Sequence, residues 1–159
     1  MASTVNRDTT VERLRSVDEF RACTQEQLEE VAHLADRVDV GTGEVLIKEG
    51  RVSREFFLIL SGTVGVTQRG LRVNTLGPGQ FFGELAAVDP APRNATVTAL
   101  TDAEVLIIGP REFATMTDIP GFRDSILRSL AKRLRSAGDE LAATLDNRKA
   151  HPPGLSPAK

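Results

Sequence analysis

The chain has 159 residues, a formal net charge of −2 at pH 7 and a single cysteine, Cys23. This length fits one domain that buries its own core, and the charge gives no support to nucleic-acid binding as the main activity. One cysteine excludes an internal disulfide framework and a four-cysteine zinc site, and it is typical of a reducing cytosol. No apolar run approaches the roughly 20 residues that cross a bilayer, so we expect a cytoplasmic protein without a membrane partner.

The first third of the chain is predicted to be helical after a polar start. Residues 1–8 are expected to be flexible. Helices are expected within 9–34, and Thr24 and Gln27 have the spacing of a capping box. This box predicts that the second helix covers 25–34.

Short β-branched segments interrupted by glycine and other turn residues fill the middle of the chain. Many short strands at such spacing favour a sandwich or a roll. The predicted strands are 37–40, 44–48, 55–61, 63–68, 71–76, 95–99 and 103–108.

Helical spacing returns near residue 110. Proline fits the first turn of a helix, so Pro110 and Pro120 predict helices over 110–117 and 120–146. The second helix has an apolar stripe that we expect to pack on the strands in its first half and to be exposed from Ala137 onward. The leucines of this stripe are Leu127, Leu130, Leu134, Leu141 and Leu145. The remaining residues, 147–159, are rich in proline and are expected to be disordered.

The segment 76–99 contains the residues best suited to bind a ligand. Gly83 allows a ligand to approach the backbone closely, and good helix formers follow it, so free N–H groups of a first helical turn would face an anion. Arg93 lies nine residues beyond Glu84 and has the planar fork that suits a phosphate. A carboxylate repels phosphate, so Glu84 is better explained as an acceptor for a hydroxyl group.

Two motifs in this segment resemble the phosphate-binding cassette of the cyclic nucleotide-binding domain family, of the catabolite-activator and protein kinase A regulatory-subunit type. They are Phe82-Gly83-Glu84-Leu85-Ala86 and Pro92-Arg93-x-Ala95-Thr96-Val97. The upstream segment 56–64 is similar to that family's central hairpin, and the resemblance covers roughly 14–135.

The resemblance implies an α+β, mainly β fold. It consists of an eight-stranded antiparallel β-roll, jelly-roll-like, with N-terminal helices and a C-terminal helical pair. In this sequence the domain would cover 9–146, with helices in 9–34, the β-roll in 37–108 and helices in 110–146.

The resemblance also implies roles for individual residues. Glu84 would accept a hydrogen bond from the ribose 2′-hydroxyl, and Arg93 would bind the exocyclic phosphate oxygens. Asn94 stands where a hydroxyl often helps the family to recognise cyclic GMP. Its presence favours cyclic AMP, although an Asn amide could also reach a base and cyclic GMP stays possible. The full set of expected ligand-binding residues is Gly83, Glu84, Leu85, Ala86, Arg93, Asn94 and Ala95, with backbone N–H groups near Leu85, Ala86 and Ala95 completing the phosphate site.

We therefore expect a stand-alone cytosolic cyclic AMP sensor that acts on an unknown effector protein and needs no cofactor or metal. Ligand would change the position of 130–146, and this helix would also serve a possible homodimer. An enzyme is not expected, because no Ser/His/Asp set, metal cluster or P-loop lysine is present. A helix-turn-helix is not expected either, because only about a dozen residues follow 146. The alternative is a degenerate β-roll that has lost its ligand and serves as a protein-interaction module.

Overall fold

The computed structural model describes residues 2–17, 20–83 and 91–150, with side chains from residue 9 to residue 147. The chain divides into two compact units, and the boundary falls between Ile126 and Leu127, inside the last helix. The sequence had predicted a single domain over 9–146.

The described residues form four helices: α1 Ala2–Arg15, α2 Gln25–Leu34, α3 Pro110–Met116 and α4 Pro120–Ala150. The capping box predicts α2 correctly: the Gln27 N–H donates to Thr24 Oγ1 at 3.2 Å, and the Thr24 N–H donates to Gln27 Oε1 at 3.0 Å. Two bounds differ from the prediction, because α1 already begins at Ala2 and α4 continues to Ala150. Residues 151–159 lie outside the described part.

The strands form two four-stranded antiparallel sheets, in the order β1-β8-β3-β6 and β2-β7-β4-β5. The eight strands are β1 Asp36–Val40, β2 Val45–Ile47, β3 Phe56–Ser61, β4 Val64–Gln68, β5 Leu71–Leu76, β6 Phe81–Phe82, β7 Thr96–Ala99 and β8 Ala103–Ile108. The eight-stranded antiparallel roll with flanking helices that the family resemblance implied is therefore confirmed. Seven strands match the predicted segments within a residue or two, and the eighth is the two-residue β6.

The core of the roll is formed by side chains that alternate toward the interior of the two sheets. Phe57 and Phe82 lie opposite each other in the β3–β6 ladder, and their rings stack with centroids 4.7 Å apart. Ile59, Val64 and Val105 are completely buried in the same cluster. This packing fixes the end of β6, which leads directly into Gly83.

A second cluster of aromatic side chains joins the helices to the β1-β8-β3-β6 sheet. Phe81 points away from the roll interior, as expected for the neighbour of Phe82 on a strand. Its ring packs against Phe20, Phe56 and Phe122, with centroids 6.0, 5.1 and 5.9 Å away. Phe113 of α3 packs on Phe56 at 4.8 Å. The two residues of β6 therefore connect both clusters.

Burial along α4 differs from the expectation. Phe122 and Ile126 are buried, but Leu127 and Leu134 in the first half are exposed by 57% and 74%. Leu141 and Leu145, expected to be exposed, are exposed by 61% and 48%. Leu130, between Leu127 and Leu134, is half-buried. The burial expected for the first half of the stripe is therefore not met at Leu127 and Leu134, and the exposure expected at Leu141 and Leu145 is found.

Candidate functional site

Gly83 follows β6 in a conformation that a side chain would disturb. Its φ is +84°, in the left-handed region that favours glycine. A Cβ atom at this position would lie 2.8 Å from the Glu55 carbonyl oxygen and 3.1 Å from Arg93 Nη1. The glycine therefore lets its own backbone lie directly against the guanidinium of Arg93.

The Arg93 side chain is 7% exposed and is held from three directions. Its Nε donates to Ser53 Oγ at 2.8 Å, Nη1 to the Gly83 carbonyl at 3.2 Å, and Nη2 to the Glu55 carbonyl at 2.7 Å. Each of the three nitrogens has a separate acceptor, and all three acceptors are uncharged. The planar guanidinium is thus fixed in one orientation before any ligand arrives.

The backbone on both sides of Arg93 is also fixed. Its N–H donates to the Arg51 carbonyl and its carbonyl accepts from the Gly50 N–H, both at 2.8 Å. Val52 and Pro92 form an antiparallel bridge next to this pair. The segment that contains Arg93 is therefore hydrogen-bonded to the connection between β2 and β3. As a result, Arg93 lies on a paired backbone and not on a free loop.

The other predicted residues fall into two groups. Asn94 is exposed, and Ala95 is 8% exposed just before β7. Their backbones continue from Arg93, so the structure brings Gly83, Arg93, Asn94 and Ala95 into one region. The predicted residues Glu84, Leu85 and Ala86, together with the helical turn expected after Gly83, lie outside the described residues.

Sequence reasoning did not identify Ser53 or the carbonyl of Glu55 as parts of this site. They lie 40 and 38 residues before Arg93, and each holds one nitrogen of its guanidinium. No local pattern marks them, since a serine before a strand is ordinary. Only the pairing of the β2–β3 connection with the Arg93 segment brings them together.

This arrangement suits a small anion. A guanidinium offers hydrogen-bond donors in the geometry of phosphate oxygens, and charge-assisted bonds in a partly dry site are stronger than neutral ones. Holding the cation in advance removes the cost of ordering a long side chain at the moment of binding. The described part of the site therefore contains a buried, pre-oriented guanidinium of the kind that pairs with a phosphate group.

A cavity of about 420 Å³ lies elsewhere in the roll and is less suitable. Two of its lining residues are Asp39 and Asp102, whose carboxylates repel phosphate, whereas a third, Glu104, is ion-paired with Arg13 and Arg37. The Asp102 carboxylate accepts from the backbone N–H and the hydroxyl of Thr42, which hold the pKa of Asp102 below its ordinary value of 3.8. Asp102 is therefore ionised at neutral pH, which makes this cavity less suited to an anionic ligand than the region around Arg93.

Two further properties of the described residues bear on the kind of site. In the described ranges no helix combines the length and apolar character needed to cross a membrane. Within the same part of the chain, no three His, Cys, Asp or Glu side chains are grouped in a way that would hold a metal ion.

Comparison with known proteins places the site in a family context. Residues 37–119 match the family model described as the cyclic nucleotide-binding domain, and this range contains every predicted ligand residue. A CRP-like cAMP-activated global transcriptional regulator of Mycobacterium tuberculosis is 32% identical over 111 residues, covering 66% of this chain and 50% of the relative.

Two other relatives match this chain over less than half of their own length. A cAMP-dependent protein kinase regulatory subunit of Eremothecium gossypii is 40% identical over 86 residues, covering 52% of this chain and 19% of the relative. The solved structure of a mutant cAMP-binding acyltransferase from Mycobacterium smegmatis superposes with a TM-score of 0.73 at 28% identity, over 84% of this chain and 43% of that chain. The chain thus spans half or less of the length of these relatives.

Proposed function

Because the chain belongs to the cyclic nucleotide-binding domain family, we propose that it binds cyclic AMP as a regulatory module, with Arg93 as the anchor of the phosphate. The observation that carries this proposal is the buried guanidinium of Arg93, held by Ser53, Gly83 and Glu55 in a single orientation. A guanidinium fixed in this way binds one compact anion better than a flexible cationic side chain would, because it is already ordered before binding.

The rest of the nucleotide would be bound by the other residues of the cassette. In this proposal Glu84 accepts a hydrogen bond from the ribose 2′-hydroxyl, and the N–H groups near Leu85, Ala86 and Ala95 donate to the phosphate. Asn94 is exposed next to Arg93 and offers no hydroxyl of the kind that favours guanine. Cyclic AMP is therefore the preferred ligand, and the relatives described above as cAMP-activated or cAMP-binding support the same choice.

The module would act by regulation and not by catalysis. The relatives that share the binding domain are as different as a transcriptional regulator and a kinase regulatory subunit. The output of this chain would be a protein contact that cyclic AMP strengthens or weakens, with an effector protein in the cytosol.

Isothermal titration calorimetry of the whole chain with cyclic AMP, cyclic GMP and linear 5′-AMP tests this function. Cyclic AMP should bind at one site per chain, and cyclic GMP should displace it only at higher concentration. Linear 5′-AMP is a matched control, because its doubly charged, open phosphate lacks the cyclic ester geometry. Absence of heat and of competition with all three, in a chain that circular dichroism shows to be folded, would favour the protein-interaction module without ligand.

Two variants test the ribose contact separately. Glu84→Gln keeps an amide oxygen that accepts from a hydroxyl, so its affinity for cyclic AMP should fall less than that of Glu84→Ala. If Glu84→Ala binds cyclic AMP as tightly as the original chain does, the ribose role of Glu84 is wrong while the phosphate role of Arg93 is unaffected.

A further inference from the structure

The part of α4 that lies in the second unit of the chain, from Leu127 onward, has an exposed apolar stripe. At about 100° per residue, Leu127, Leu134, Leu141 and Leu145 lie within about 40° of one another around α4. They are exposed by 57%, 74%, 61% and 48%. Four large leucines in one line on a single helix form a surface that water solvates poorly.

Two small residues lie between the leucines on the same stripe. Ala131 and Gly138 complete a pattern of alternating steps of four and three residues, the spacing of a coiled-coil seam. The exposed stripe therefore leaves out the half-buried Leu130 of the predicted stripe and consists of Leu127, Ala131, Leu134, Gly138, Leu141 and Leu145. Read from its first to its last residue, the stripe has the order Leu, Ala, Leu, Gly, Leu, Leu, which differs from the order read in reverse.

This order distinguishes between two ways of pairing the stripe with a second copy of itself. A parallel pair in register puts Gly138 against Gly138 and Ala131 against Ala131, which leaves two gaps in the seam. An antiparallel pair with Leu127 opposite Leu145 puts Ala131 opposite Leu141 and Leu134 opposite Gly138. In the antiparallel pair every small residue faces a leucine, so the seam is filled along its whole length.

The charges beside the stripe distinguish between the same two arrangements. Four basic residues lie in the first half and three acidic residues in the second: Arg128, Lys132, Arg133 and Arg135, followed by Asp139, Glu140 and Asp146. Arg148 and Lys149 come only after the last leucine of the stripe. A parallel pair sets the basic halves side by side, whereas an antiparallel pair sets each basic half beside an acidic half.

Some of these basic and acidic side chains lie on the same flank of the helix, so they come close to each other in an antiparallel pair. Arg128, Arg135, Asp139 and Asp146 all lie about 80–120° from the stripe on the same side of the helix. In an antiparallel pair related by a two-fold axis, this flank of one helix lies beside the same flank of the other. With Leu127 opposite Leu145, Arg128 lies within about half a turn of Asp146 of the second copy, and Arg135 of Asp139.

We propose that α4 from Leu127 to Asp146 is an antiparallel interface with a second copy of this chain. Packing of large against small residues and complementarity of charge lead independently to the same antiparallel orientation, and the packing sets its register. The interface uses none of the residues assigned to the nucleotide, so it stands or falls apart from the proposed function.

Sedimentation equilibrium of the whole chain over a range of concentrations tests the association. Leu134→Glu places a charge in the middle of the seam and should raise the dimer dissociation constant at least about 10-fold. Ser136→Glu adds the same charge on the opposite face of the helix and is the matched control, expected to change it less than about 3-fold. A monomer up to about 100 µM, or equal effects of the two variants, overturns the interface.

Disulfide trapping tests the orientation in a Cys23→Ser background. Leu127→Cys and Leu145→Cys chains, mixed and oxidised, should form the mixed dimer, and each variant alone should cross-link poorly. Efficient cross-linking of each variant alone, with little mixed product, would show a parallel pair and overturn the proposal.

Charge reversal supplies a second measurement of orientation that forms no covalent bond. Arg128→Glu with Arg135→Glu should weaken the dimer several-fold, and adding Asp139→Lys with Asp146→Lys on the same chain should restore it. Failure of the second pair to restore association would contradict the antiparallel register.

Discussion

Replacing Gly83 by alanine would place a methyl group against both the Glu55 carbonyl and the Arg93 guanidinium, two groups that already share a hydrogen bond. The added Cβ would lie 2.8 Å from the Glu55 carbonyl oxygen and 3.1 Å from Nη1 of Arg93, and the same carbonyl accepts from Nη2 of Arg93. The positive φ costs about 1–2 kcal/mol for an L-residue. The forced displacement of a backbone oxygen and a buried guanidinium adds about 1–3 kcal/mol. The expected loss in the free energy of unfolding is therefore about 2–5 kcal/mol.

Gly70→Ala is the matched control for the backbone contribution. Gly70 has a similar φ of +79°, in the turn between β4 and β5, but an added Cβ meets no heavy atom within 4 Å. Its cost should be only the strain, about 1–2 kcal/mol. The difference between the two variants then measures how tightly Gly83 lies against Arg93.

Urea unfolding followed by circular dichroism is the appropriate assay, because the chain has no tryptophan or tyrosine for intrinsic fluorescence. With a urea m-value of about 2 kcal/mol/M, an extra loss of about 2 kcal/mol lowers the midpoint of Gly83→Ala by about 1 M below that of Gly70→Ala. Equal midpoints for the two variants would refute the close approach of Gly83 to the guanidinium.

Three further predictions concern other parts of the chain. Ser53→Ala removes the acceptor of Arg93 Nε, so affinity for cyclic AMP measured by calorimetry should fall about 3–10-fold, while Ser53→Thr keeps the hydroxyl and most of the affinity. Undiminished affinity in Ser53→Ala would contradict this positioning role. Thr42→Val removes one of the two hydrogen bonds that lower the pKa of Asp102, so a carboxyl NMR titration should give a higher pKa for Asp102. Because the folded pKa lies below the unfolded one, the stabilisation by Asp102 is present above pH of about 4 and is lost as the pH falls through the folded pKa. Thr42→Val should therefore lose less stability on acidification than the original chain, and an unchanged pKa would contradict the role of the hydroxyl. Finally, cyclic AMP should change amide hydrogen exchange across 130–146 as well as at the cassette; a change at the cassette alone would mean that ligand binds without moving this helix.

Local signals predicted the local structure well. The Thr24 and Gln27 side chains close the predicted capping box. The β-branched segments and turn residues predicted strands over 71–76 and 103–108, the bounds that β5 and β8 have in the structure. Each of these patterns depends on residues a few positions apart, which is why the sequence alone is sufficient.

Features that depend on distant partners were missed. Phe81 and Phe82 form a strand only because β3 pairs with them, and two residues carry no periodicity of their own. Ser53 reaches Arg93 across 40 residues, which no spacing rule foresees. The exposure of Leu127 and Leu134 also escaped prediction, because an apolar stripe shows that a helix has an apolar face but not what covers it.

The measurement that tests the central claim most directly is the affinity of Arg93→Ala for cyclic AMP, compared by calorimetry with the original chain. Arg93 is 7% exposed and donates to three acceptors, so the variant must first be shown to be folded by circular dichroism at the temperature of the titration. Loss of a buried charge-assisted contact costs about 2–5 kcal/mol, so affinity should fall about 30-fold or more. Arg93→Lys keeps the charge but not the planar fork and should lie between the two. If folded Arg93→Ala binds cyclic AMP with unchanged affinity, Arg93 does not bind the phosphate and the assignment of this site is wrong.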